Sequence, residues 1–318
     1  MALVRDIEDK MARLRGVLSS GAINVNLLTK LLSEVREPAL INAINEYLVN
    51  EPIAYLGPGG SYSHEVAMRF FGANKSFIPM RNVEEVVKCV YNGDCGFGVV
   101  PIENNLAGVV GDSMDALIKW NVYVNYSVEY RVSLCLVVNE EVESLDEITE
   151  VYSHPHAISE AMDFVTRLKA SIIYTQSTSE ALEKIRGARN RAAIASRLGA
   201  ETRGLKPIMC SIEDRPNYTR FLVITRRRSD VGDRTLLIFS VPNRPGSLYK
   251  ALKPFAERGI NLSMIYSKPN KQSPWGYDFL LETECQLKDE ECNEAIQQLQ
   301  QETTYLKTLG SYKHIKIT

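Results

Sequence analysis

The chain has 318 residues, of which 45% are apolar and 24% charged, and a formal net charge of −2. That length implies two or three domains rather than one core, and the near balance of charge argues against a nucleic-acid partner. No run of eighteen apolar residues is present to cross a membrane. The N-terminus alternates charge with apolar residues where a signal peptide needs an apolar middle, so a cytoplasmic location is expected.

Residues 1–51 read as a helical hairpin. Leu3, Ile7, Met11, Leu14 and Leu18 form one apolar stripe, and Leu28, Leu31, Leu32 and Val35 a second, broken by Pro38 and resumed at Ile41, Ile44 and Leu48. At Glu51-Pro52 the period changes. Strands are predicted over 53–56, 76–78, 96–100, 122–126, 131–138, 150–153, 171–175, 192–195 and 221–225. Helices are predicted over 63–71, 83–91, 112–120, 156–168, 178–187 and 196–200. The alternation indicates α/β architecture with largely parallel sheets. The charged stretch from Arg226 to Asp233 reads as a linker with a solvated face. Beyond it, strands at 235–241, 260–268, 277–284 and 314–318 and helices at 246–258 and 288–301 follow the β-α-β-β-α-β order of a ferredoxin-like α+β domain. The six cysteines, at positions 89, 95, 135, 210, 285 and 292, contain no CxxC pair. They are expected to be reduced structural thiols, without a disulfide framework or a metal site.

Three segments sit where strands end, and a fourth lies just before the last strand of this region. Gly57-Pro-Gly-Gly60, followed by Ser61, suits close backbone approach to an anion, or simply a tight βα turn. Tyr62 stands where a dinucleotide fingerprint needs Gly. Glu103-Asn104 follows an apolar strand and reads either as a pair orienting a substrate or as a helix cap. Ser153-His-Pro-His156 reads as a polar ligand contact rather than a nucleophile, since Gly-x-Ser-x-Gly is absent. Thr219-Arg-Phe221 supplies a neutral hydroxyl and a forked cation, Arg220, which suits a carboxylate or a structural ion pair.

In this order and spacing, together with Asn243-Arg-Pro-Gly-Ser-Leu-Tyr249, these motifs resemble prephenate dehydratase followed by an ACT regulatory domain. The resemblance implies a two-lobed catalytic domain over 52–228, similar to periplasmic binding proteins. Residues 52–130 and 211–228 would make lobe one and 131–210 lobe two, with an ACT domain over 233–318. It implies conversion of prephenate to phenylpyruvate, carbon dioxide and water in phenylalanine biosynthesis, with no metal or organic cofactor. Catalytic roles fall on Thr219, the hydroxyl donor, with Arg220, Glu103, Asn104 and Ser153. Substrate contacts fall on Gly60, Ser61, Phe221 and the hydroxyl-rich Ser177, Thr178 and Ser179. Phenylalanine would bind as an allosteric inhibitor at Gly246, Ser247, Leu248, Asn261, Ile265, Tyr266, Ser267 and Lys268, between ACT domains of a homodimer or homotetramer.

The chain departs from the family pattern at Asn105, where Ser or Thr is frequent, at His156, where Gln is frequent, and at Glu160, where some members carry Gln. It departs again at Tyr266 and Lys268, where Glu and Arg are usual. Two other functions remain open on the sequence. One is arogenate dehydratase, the same chemistry on the transaminated side chain. The other is a non-catalytic amino-acid sensor or solute-binding protein. The N-terminal hairpin is shorter than the three-helix chorismate mutase that some relatives carry, and is expected to pack or oligomerise rather than catalyse.

Overall fold

The computed structural model describes residues 51–139, 144–270 and 275–317, so the hairpin expected at the N-terminus lies outside the described residues. The described chain begins in β1 (Ile53–Leu56), α1 (Tyr62–Phe71), β2 (Phe77–Met80), α2 (Val83–Asn92) and β3 (Phe97–Asn104). A short β4 (Gly108–Val109), α3 (Gly111–Lys119) and β5 (Tyr123–Val132) follow. β6 (Cys135–Val138), β7 (Glu150–Ser153), α4 (Pro155–Glu160), α5 (Met162–Leu168), β8 (Ser171–Tyr174), α6 (Thr178–Lys184), β9 (Arg191–Ala195), α7 (Arg197–Glu201) and β10 (Lys206–Cys210) then build a second sheet. β11 (Asn217–Thr225) returns to the first sheet. The C-terminal part comprises β12 (Arg234–Ser240), α8 (Ser247–Glu257), β13 (Leu262–Pro269), β14 (Tyr277–Thr283), α9 (Glu290–Glu302) and β15 (Tyr305–Ile317).

Two sheets result. The second, ordered β10-β6-β9-β7-β8, is the sheet of lobe two. The first runs β13-β14-β12-β15-β5-β11-β3-β1-β2, so lobe one and the ferredoxin-like domain share one sheet. β15 makes the join: it pairs with β12 antiparallel through Tyr312, then with β5 in parallel from Lys313 to Ile317.

The domains are therefore fused rather than tethered. Apolar residues of α2, α3 and β3 pack in one core with Leu236, Ile238, Met264, Leu280, Leu309 and Tyr312 of the C-terminal sheet. The opposite face of that sheet is covered by α8 and α9 in a separate core. Gly232, in the connection, lies so close to the backbone of Tyr312 that any Cβ would stand 2.2 Å from its carbonyl oxygen. α3 is gripped at both ends from the C-terminal domain. Lys268 Nζ donates to Gly111 O at 3.0 Å and pairs with Asp115 at 2.6 Å. Lys307 Nζ donates to Leu117 O and Trp120 O at 2.7 and 2.6 Å, a cation on the helix's negative end. Burial pulls the Lys307 ammonium down to about 8.

Several elements differ from the sequence reading. The helix expected over 156–168 breaks at Ala161, which adopts φ −123° and ψ 30° between α4 and α5. β10 has mostly exposed or half-buried positions and contains Pro207, so it gives no apolar alternation to read. β15 is far longer than the terminal strand expected, because its first half borders a polar turn and holds Gly310. β3 runs through Pro101 to Asn104, accommodated by a register shift opposite at Arg220 and Phe221.

The cysteines also require correction. All six pair, as Cys89–Cys95, Cys135–Cys210 and Cys285–Cys292. Cys135 and Cys210 are 75 residues apart in sequence, yet stand opposite one another in the register of β6 and β10. Spacing along the chain held no sign of that neighbourhood.

Candidate active site

Between the two sheets lies a cavity of about 320 Å³. Lobe one and the crossing strands contribute Tyr62, Asn104, Val132, Leu134, Asn217 and Thr219 to its wall. Lobe two contributes His154, His156, Ala157 and Glu160 from the start and end of α4, and Gln176, Ser177 and Thr178 from the start of α6.

At its centre is a fixed amide. Asn104 Oδ1 accepts from the backbone N–H groups of Leu106 and Ala107, both at 2.9 Å. That fixes which end of the amide carries the hydrogens. Nδ2 then donates to Thr219 Oγ1 at 2.9 Å, to Asn217 Oδ1 at 2.5 Å and to Tyr218 O at 3.2 Å. Because the Thr219 oxygen already accepts from Asn104, its own O–H is left to donate. The side chain is 9% exposed and faces the cavity. The adjacent Asn105 clamps the same strand pair: its Nδ2 donates to Pro216 O at 3.0 Å, and its Oδ1 accepts from Tyr218 N at 2.7 Å.

Successive residues of a strand face opposite ways. Thr219 and Asn104 face the cavity, so their neighbours Arg220 and Glu103 face away from it. Arg220 pairs with Glu103 and donates Nη1 to Glu282 on β14 at 2.8 Å. Glu282 is almost wholly buried, and also accepts from Arg234 Nη1, Ser263 Oγ and Tyr312 OH, each at 2.5 Å. Burial works against its charge, but the Arg220 charge and the hydrogen bonds from Ser263, Tyr312 and Arg220 outweigh it. They hold the carboxyl at about 2. Of the two readings of Arg220, the structure supports the ion pair.

Other expected contacts are placed elsewhere. Ser153 is fully buried and donates to Ile194 O at 2.6 Å. Phe221 is in the core, and Ser179 is buried outside the cavity lining. Ser61 caps α1 and donates to Leu56 O at 2.7 Å. Gly60, at φ 81°, is spent on contact between lobes: Ser196 Oγ donates to its carbonyl at 2.8 Å, and a Cβ would meet Gly199 Cα at 2.6 Å. Ser177 caps α6 by accepting from Glu180 N at 3.0 Å, and it lines the cavity with Thr178.

The sequence reading did not assign roles to Asn217, Tyr62, His154, Gln176 and Glu160. Asn217 opens the Asn-Tyr-Thr-Arg-Phe motif, and its place two residues before Thr219 on one strand face was the available signal. Tyr62 OH donates to Ser133 O at 2.9 Å. Burial, followed by the charges of Glu65, Glu160 and Glu213, pushes the Tyr62 phenol well up. Burial and His156 pull the His154 imidazole down, and its Nδ1 accepts from His156 N at 3.3 Å.

The expected allosteric residues fall in two groups. Ile265 and Ser267 on β13, and Asn261 just before it, are exposed; Gly246, at φ 81°, opens α8 ahead of Ser247 and Leu248. Tyr266 and Lys268 instead face lobe one, Tyr266 against the shared core and Lys268 on α3.

These observations define a two-lobed α/β enzyme domain with an uncharged hydroxyl donor held in its cleft, fused to a regulatory β-α-β-β-α-β domain. The prephenate dehydratase family model matches residues 53–229 and the ACT domain model residues 235–301. The chain belongs to the prephenate dehydratase family, and its activity is the dehydratase step of aromatic amino-acid biosynthesis. It is 31% identical over 313 residues to the bifunctional chorismate mutase/prephenate dehydratase of Aquifex aeolicus, covering 97% of this chain and 84% of that one. Such coverage takes in most of the first fifty residues. The structure of the Arthrobacter aurescens prephenate dehydratase in complex with L-Phe superposes with a TM-score of 0.76 at 27% identity, over 82% of this chain and 90% of that one. The quorum-quenching acylase GqqA superposes with a TM-score of 0.76 at 28% identity, over 83% and 98%.

Proposed function

We propose that the cavity between the lobes is where decarboxylation and dehydration occur, with Thr219 at the departing hydroxyl. The ring carboxylate leaves as carbon dioxide. The electrons of its C–C bond pass through the ring and expel the hydroxyl across from it, and the ring becomes aromatic. The oxygen that leaves gathers negative charge, and a positioned O–H lowers the energy of that state. Thr219 suits the role because Asn104 occupies its acceptor side, and this contact is the observation that carries the reading. Asn217 steadies Asn104, while Ser177 and Thr178 offer hydroxyls to a carboxylate. Closure of the lobes excludes water from the ring.

Phenylalanine inhibition belongs to the same proposal. The amino acid binds between paired ACT domains at the start of α8 and the exposed side of β13, in a dimer or tetramer. It acts by favouring one arrangement of the shared sheet. A cytoplasmic location fits a substrate of central metabolism.

The test is Thr219→Ala. Loss of one positioned donor lowers kcat roughly 100-fold or more, and Thr219→Ser retains part of the rate. An Ala variant with the parent kcat on prephenate would move the donor elsewhere.

A further inference from the structure

The cleft is uneven in charge. Among the described residues that line it, none is Lys or Arg, and the ionisable groups are Tyr62, His154, His156 and Glu160. Glu160 ends α4 and is hydrogen-bonded by the Asn217 side chain, whose Oδ1 accepts from Asn104. Glu160, Asn217, Asn104 and Thr219 thus form one line of contacts ending at the hydroxyl donor. Close to Glu160 is Glu213, with a side chain only 2% exposed. Its Oε2 accepts from Leu134 N at 3.1 Å, and its buried Oε1 has no hydrogen-bond partner, with Arg131 at 3.6 Å. Burial pushes the Glu160 carboxyl up, His156 and Asn217 pull it down, and Glu213 pushes it up again.

Side chains ending in an α-keto acid or an α-amino acid both bring a second carboxylate to a wall that offers it no cation; an α-keto acid adds only a carbonyl oxygen, which can accept but not donate. A side chain ending in an α-amino acid brings an ammonium group, which a carboxylate receives directly. A Gln at position 160 would have an amide able to donate to a keto oxygen; a carboxylate can only accept. Given the dehydratase reading of this site, on which the argument rests, we infer that Glu160 selects the substrate's side chain, favouring the α-amino form, arogenate, over the α-keto form, prephenate. Each form loses carbon dioxide and water at the ring by the same step, so Thr219 serves both. Arogenate gives phenylalanine directly, and prephenate gives phenylpyruvate.

The experiment is a comparison of kcat/KM for the two substrates with the full chain, then with Glu160→Gln and Glu160→Asp. The parent favours arogenate roughly tenfold or more, the scale of one hydrogen bond between charged groups. Glu160→Gln lowers the ratio of kcat/KM for arogenate to that for prephenate roughly 10- to 100-fold, and its circular dichroism and thermal unfolding report whether the fold is intact. Glu160→Asp keeps part of the preference. A parent that favours prephenate overturns the inference. So does a substrate ratio that Glu160→Gln leaves unchanged. If Glu160→Gln does not fold, the parent's ratio and that of Glu160→Asp decide. Turnover of neither substrate by the parent would instead overturn the dehydratase reading itself.

Discussion

Glu282→Gln tests whether the carboxylate behind the catalytic strand holds the two domains together. Glu282 accepts from Arg220, Arg234, Ser263 and Tyr312. A carboxyl held at about 2 rather than its ordinary 4.5 stabilises the folded state at neutral pH by about 3 kcal/mol. Removing one partner of a buried pair costs about 3–5 kcal/mol. Arg220 keeps Glu103 after the change, which places the expected loss at the lower end, near 3 kcal/mol. The sign of the pH dependence follows from the depressed value. The stabilisation is fully present above about pH 4.5 and is lost as pH falls through about 2. Urea unfolding at pH 7, 5 and 3 reads both effects. The variant is weaker at pH 7, and below pH 4.5 the parent's stability falls more steeply than the variant's. Equal stabilities at pH 7 within about 0.5 kcal/mol, together with parallel pH profiles, would refute the reasoning.

Two further outcomes concern the C-terminal domain and the disulfides. Gly246→Val, at a positive φ with open space around it, strains the start of α8 and should abolish phenylalanine inhibition while leaving kcat at saturating substrate near that of the parent. Calorimetry on the parent should show phenylalanine binding, and its absence would make the domain structural. Reduction should lower stability by about 4 kcal/mol for Cys135–Cys210, which closes a loop of 75 residues, and by about 2 kcal/mol for each of the two short loops on the chain-entropy account. Thermal unfolding with and without reductant, with thiol counting by mass, checks this, and six free thiols in the untreated protein would contradict the pairing.

The sequence made legible whatever repeats along the chain. The alternation of strands and helices, the ferredoxin-like order at the C-terminus, and Thr219 and Asn104 as cleft residues all came from local pattern and motif. It hid whatever depends on which way a side chain turns. Glu103-Asn104 and Thr219-Arg220 read as two pairs acting together, yet each pair straddles a strand and sends one member to each face. Ser153 and Phe221 carry the motif but are buried beneath the cleft. The disulfides and the Glu282 cluster join residues distant in sequence, which no spacing rule reaches.

That same alternation gives the molecule a route from regulation to catalysis. β3 and β11 present Asn104 and Thr219 to the cavity on one face, and Glu103 and Arg220 to the C-terminal domain on the other. The C-terminal domain grips a second point as well, since Lys268 and Lys307 hold the two ends of α3, whose first residue, Gly111, follows Asn104 by seven positions. A change in the C-terminal sheet that moves β13 or β14 acts on Arg220, next to Thr219 in the chain, or on α3, which begins seven residues after Asn104. A hydrogen bond of 2.9 Å weakens steeply with misalignment, so a small displacement there loosens the Thr219 hydroxyl from the Asn104 amide that donates to it. Coupling of this kind needs no hinge at residues 226–233. It needs only that the two domains share a sheet and a core, as they do through β15.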